Sequence, residues 1–119
     1  MKVTIPDLIQ FVLRNRRGKA FKGWTPQQIG WRIERALNNG GLAMAVNDKG
    51  AIVGLCCATP DHEKKVLHVD EILTTWPQAL SGIIQKYKQW FDGFEITARR
   101  RGKQKLYRTG RLVHLLSRQ

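Results

Sequence analysis

Acidic residues are scarce in this chain, and its last 21 residues contain none. Across 119 residues, nine Asp and Glu face 21 Lys and Arg, for a formal net charge of +12. Cysteine is nearly absent too: Cys56 and Cys57 are the only two, and they are adjacent. Neighbouring cysteines cannot staple a loop, so no disulfide framework of the secreted kind is expected. No Cys-x-x-Cys pair exists, which argues against a structural zinc site, and no metal is expected. Long apolar runs are missing, with nothing near the ~20 residues that cross a bilayer, so no membrane span is expected. The first residues lack the charged, apolar and small-residue order of a secretory signal. These absences make the cytoplasm the expected location. A P-loop, a dinucleotide fingerprint and a Ser/His/Asp order are also absent, which removes common nucleotide-dependent and hydrolytic classes.

What remains is enough for a folded body. Apolar residues make up 42% of the chain, and its length suits one domain over 1–119. Repeats, low-complexity tracts and linker-like stretches do not occur. The charge is unevenly placed. Residues 1–24 hold six Lys/Arg and one Asp, residues 25–98 are near neutral, and residues 99–119 hold eight Lys/Arg and no acid. A neutral middle between two basic ends points to an acidic partner.

Three helix starts share one grammar. Thr4, Thr25 and Thr75 each precede a proline by one or two residues, with an acid or amide three residues on. That places a hydroxyl cap, a first-turn proline and a capping-box partner together. Helical stripes come next: Ile5, Leu8, Ile9 and Val12; Ile29, Ile33, Ala36 and Leu37; and Leu80, Ile83, Ile84, Tyr87 and Phe91. Between the second and third helices, residues 42–46, 51–59 and 66–73 read as strands, with a turn at 47–50 and a polar loop at 60–64. Short connections make them an antiparallel meander. Residues 94–98 form a further strand reached through the third helix, so they pair in parallel with 66–73. A basic turn or short helix comes after it, and residues 111–116 read as a last strand. The fold class is α/β (α+β): a mixed, mostly antiparallel sheet with a central parallel pair and helices on both faces.

This order resembles the GNAT family of N-acetyltransferases. Leu106-Tyr107-Arg108-Thr109-Gly110-Arg111 is similar to the stretch that closes that family's short helix and enters its last strand. The resemblance implies an acetyl-CoA cofactor, with Tyr107 as general acid toward the departing thiolate. The backbone of Ile72, Leu73 and Thr74 would meet the pantetheine arm. The N-terminus of the third helix, with Gln78, Ser81 and Gly82, would meet the pyrophosphate, as the helix dipole favours an anion there. The sequence departs from the family at this loop. Ser81 and Ile83 stand where the pattern has Gly and Gly/Ala, and Pro77 removes one donor. The family's usual first strand is missing. The short length and altered loop suit the small degenerate members found in phage virion gene sets, which implies a virion as the other location.

Several clusters carry candidate chemistry. Arg99, Arg100, Arg101, Lys103 and Lys105, extended by Arg108 and Arg111, read as a phosphate-binding patch or as a solvated face. Arg14, Arg16, Arg17, Lys19 and Lys22 form a second cluster, beside Phe21 and Trp24, which either stack on bases or anchor the loop to the core. Asp70 and Glu71 are expected on opposite faces of their strand, and His68 on one face with Val66, Asp70 and Ile72. Glu71 or His68 can serve an acetyl transfer as base. The alternatives are a rim carboxylate paired with arginine and a satisfied core histidine. Cys56 and Cys57 face opposite sides, one of them as core. Trp31 and Trp90 fall just off their helical stripes, where exposure would mark a partner surface.

Two functions are open. One is a GNAT-like basic protein with a degenerate acyl-CoA site that binds an acidic partner, either nucleic acid or an acidic protein surface such as a virion assembly. The other is an active acetyl-CoA-dependent N-acetyltransferase. A small nucleic-acid-binding module unrelated to that family is a further alternative. The two basic ends are expected to flank the mouth of the cofactor slot.

Overall fold

The capping boxes form as the sequence dictates. A computed structural model describes residues 3–16, 20–100 and 103–107, with the backbone alone for 99–100 and 103–107. Helix α1 (Ile5–Asn15) begins where the Thr4 hydroxyl accepts from the Asp7 N–H at 3.3 Å and the Asp7 carboxylate accepts from the Thr4 N–H at 2.8 Å. The Thr4 N–H and hydroxyl, both donating to it, hold the Asp7 carboxyl below its ordinary value. Helix α2 (Pro26–Asn38) repeats the device with Thr25 and Gln28. Helix α3 (Pro77–Trp90) departs from the expectation. Its N-cap is Trp76, which offers no side-chain acceptor. Thr75 is drawn away instead: its N–H and hydroxyl donate to the Val53 carbonyl at 2.9 and 3.3 Å.

The sheet runs β1-β2-β3-β4-β5, formed by β1 (Leu42–Val46), β2 (Ile52–Asp61), β3 (Val66–Thr74), β4 (Glu95–Arg100) and β5 (Lys103–Tyr107). The first three strands are an antiparallel meander, and α3 crosses over to lay β4 parallel to β3. Strand β2 runs through the expected loop to Asp61, and Pro60 is tolerated because β1 pairing ends at Leu42↔Cys57. The basic segment also differs from expectation. Residues 103–107 form a strand that returns antiparallel along β4, not a turn or short helix. The two strands pair from Arg100↔Lys103 to Ile96↔Tyr107, as the arms of a hairpin. The strand expected at 111–116 lies outside the described residues.

Helices cover both faces of the sheet. On one, Phe11 and Val12 of α1 and Ile29 and Ile33 of α2 pack on Leu55 and Leu73. On the other, Ile83 and Tyr87 of α3 and its C-cap Phe91 pack on Ala43, Leu67 and Ile96. Each such side chain contributes roughly 1.5–3 kcal/mol of burial. Cys56 and Cys57 face opposite sides and are both core. Burial pushes the Cys56 thiol up to about 12 and the Cys57 thiol higher still, so neither is a nucleophile at neutral pH.

Gly41 joins α2 to the sheet at van der Waals limit. A Cβ there would stand 1.9 Å from the Ala58 carbonyl oxygen. The same residue accepts from the Tyr87 hydroxyl at 2.7 Å and from the Ala58 N–H at 2.9 Å. Gly41→Ala must displace backbone and break these bonds, so about 2–3 kcal/mol of stability should be lost. Urea unfolding checks this, and an unchanged midpoint would show that β2 can yield.

Candidate functional site

A β-bulge arranges the most polar part of the sheet. Cys57 pairs with Glu71 but Ala58 pairs with Val69, so Asp70 is an extra residue on β3. An inserted residue reverses the facing of the residues beyond it. Leu67, Val69 and Ile72 therefore face α3, which leaves His68, Asp70 and Glu71 toward α2. Two expectations are corrected by this one feature: Asp70 and Glu71 share a face, and Ile72 does not share it with His68.

Both carboxylates are held by one arginine. Arg32 of α2 donates from Nε to Glu71 at 2.6 Å and from Nη2 to Asp70 at 3.0 Å. The Thr59 hydroxyl adds a 2.9 Å bond to Asp70. The side chains of Arg32 and Glu71 are only 12% and 16% exposed. Burial pushes the Glu71 carboxyl above its ordinary value, with Arg32 acting against it. The paired-carboxylate alternative is the observed arrangement. His68 Nδ1 stands 3.0 Å from the Thr97 hydroxyl, which ties β3 to β4. Arg32 itself carried a readable signal: it sits between Ile29 and Ile33 at the edge of the buried stripe, where a guanidinium needs a carboxylate.

Beyond this link the parallel strands fork. Their last paired residues are Val69 and Ala98, yet β3 continues to Thr74 and β4 to Arg100. Ile72, Leu73 and Thr74 lie on the free arm, still paired to β2. The arm leads directly into α3, whose first turn has no side-chain cap. Gln78 and Gly82 are exposed there, Ser81 is half-buried, and a Cβ on Gly82 would meet nothing within 4 Å. Trp76 is 47% exposed, whereas Leu80 is half-buried and packs on the α3-side cluster with Ile72 and Ala98, the residues at the fork. Tyr107, however, pairs with Ile96, itself opposite Leu67. That register sets Tyr107 on the closed side of the fork, away from its mouth.

The basic segments are arranged differently from each other. In the β4–β5 hairpin, Arg100 stands opposite Lys103, Arg99 opposite Gln104 and Ala98 opposite Lys105. Arg101, Arg108 and Arg111 lie outside the described residues, as do Arg17 and Lys19. Near the N-terminus, Arg14 and Lys22 are exposed, but Arg16 is structural. Its Nη1 donates to the carbonyls of Phe21 and Trp24 at 3.0 and 2.7 Å. Phe21 is 2% exposed and anchors its loop, whereas Trp24 is half-buried with its ring edge-on to Phe21 at 5.3 Å. Trp31 and Trp90 are exposed, as their spacing implied. Among the described residues, no cluster of His, Cys, Asp or Glu is placed to hold a metal. No described helix is long and apolar enough to cross a membrane. Comparison with known protein families, curated proteins and solved structures finds no match to this chain.

Proposed function

We propose that this chain binds a nucleic-acid backbone through the β4–β5 hairpin, with its acyl-CoA site degenerate. The observation that carries the reading is the like-charge register of that hairpin. Arg100 faces Lys103 directly, Arg99 and Lys105 stand within two positions, and no acid occurs after Glu95 in the sequence. Like charges opposite one another across a ladder cost up to roughly 1 kcal/mol each. A run of phosphates reverses that cost and releases its own counterions. A two-stranded ribbon also has the cross-section that a DNA major groove admits. A cytoplasmic or virion location accords with such a partner.

Affinity for an oligonucleotide measured between 50 and 200 mM salt tests the reading. Four phosphate contacts on duplex imply a loss of roughly 10²-fold over that range. Affinity that ignores salt, or equal competition by polyglutamate, would point to a different kind of partner.

The fork favours a second reading, acetyl-CoA-dependent N-acetyl transfer. Here the backbone at Ile72–Thr74 would receive the pantetheine arm, the open first turn of α3 the pyrophosphate and Glu71 or His68 the acceptor's proton, while Tyr107, on the closed side of the fork, would give the thiolate its proton only if β5 shifted toward the mouth. The first reading expects no heat when acetyl-CoA is titrated into the protein. Binding heat, with turnover that falls about 10²-fold in Tyr107→Phe, would put the second in its place.

A further inference from the structure

We infer that the groove between Trp24 and Trp31 is a stacking site for an unpaired nucleobase, so the nucleic acid bound is single-stranded at that point. This rests on the nucleic-acid reading above and names the form of the ligand. The groove has a volume of about 520 Å³ and is lined by Gly23, Trp24, Gln28, Trp31, Arg32 and Arg35. That suits one nucleotide, not a helix of paired bases. Gln28, Trp31, Arg32 and Arg35 have the three- and four-residue spacing that brings side chains to one face of a helix.

Each wall has a distinct chemistry. Trp31 is 60% exposed on a helix that otherwise buries its large apolar side chains toward the sheet, Leu37 apart. Leaving an indole in water is unfavourable, and a flat aromatic partner relieves it. Every base offers such a face. Arg35, one turn on, is exposed and can pair the adjoining phosphate. Arg32 is already occupied by Asp70 and Glu71, so it fixes the floor without supplying free charge.

The opposite wall is built before any ligand arrives. Trp24 is held by the Arg16 guanidinium on its carbonyl at 2.7 Å and by the ring of Phe21. Gly23, with φ of +78°, makes the turn that presents it. A rigid wall avoids the ordering entropy that binding otherwise costs. The floor of the groove also meets β3, the strand next to the hairpin. Arg32 holds Asp70, which is one residue past Val69, and Val69 pairs with Ala98, one residue before Arg99. A strand leaving the hairpin therefore reaches the groove within a short span of backbone.

Trp31→Ala in the full chain tests this, since an exposed residue can be removed without unfolding the protein. Affinity for a single-stranded oligonucleotide should fall about 5- to 150-fold, the range measured when a base loses its aromatic platform. Trp31→Phe should recover part of it, and affinity for a duplex of the same sequence should not change. If wild type and Trp31→Ala bind single strand and duplex alike, the stacking site is refuted and hairpin binding stands. An equal loss for polyglutamate also refutes it, because that chain has no rings to stack. If wild type binds neither nucleic acid, both readings fail.

Discussion

Replacing Arg99, Arg100, Lys103 and Lys105 together with Gln should weaken oligonucleotide binding at least 10²-fold at about 50 mM salt. The slope of log affinity against log salt should become shallower by about 3–4, since each phosphate contact on duplex contributes about 0.9. Stability should hold or rise, because the substitutions remove a directly opposed pair, Arg100 and Lys103, from the ladder. That combination separates a binding surface from a folding determinant. A variant that binds as tightly as wild type would leave the hairpin as a merely solvated edge. A variant that unfolds would show that these side chains serve the protein's own structure.

The second large effect is expected at Arg32. Arg32→Met leaves Asp70 and Glu71 side by side, mostly buried and without a cation. Removing one member of a buried charge cluster typically costs about 3–5 kcal/mol, and that loss is expected at neutral pH. The pH dependence carries the sign. Burial already raises Glu71 above its ordinary value of 4.5 in the presence of Arg32. Without Arg32, burial and the neighbouring Asp70 carboxylate raise Glu71 further. A group whose folded value is raised contributes stability in full below its unfolded value and loses it as pH rises through the folded one. The deficit of Arg32→Met relative to wild type should therefore shrink as pH falls toward about 4. Adding Asp70→Asn and Glu71→Gln should recover much of it at neutral pH. A deficit independent of pH would mean that Arg32 acts through packing alone.

How much of this was legible depended on how local each cause is. The Thr4 and Thr25 caps were readable because a capping box spans four residues and needs nothing else. Thr75 has the same sequence grammar, but the distant Val53 carbonyl takes its N–H and hydroxyl. The parallel pairing of β3 and β4 could be read from a helix lying between two strands. The facing of Asp70 and Glu71 could not, since a bulge is set by the register of the partner strand and leaves no mark in period-2 alternation. Residues 99–107 hid their strand because apolar alternation, the usual signal, is replaced there by charge. The groove was half visible. Trp31 stood off its stripe with Arg35 one turn on, but Trp24 joined them only once Arg16 had pinned its loop.

The central claim is that the hairpin, not the fork, is where the acidic partner binds. Mapping backbone amide shifts by NMR during titration with a short oligonucleotide tests it most directly. The largest shifts are expected at residues 96–107, with a second group at 23–35. Shifts confined to residues 70–82, at the fork and the start of α3, would contradict the account and favour an acyl-CoA site.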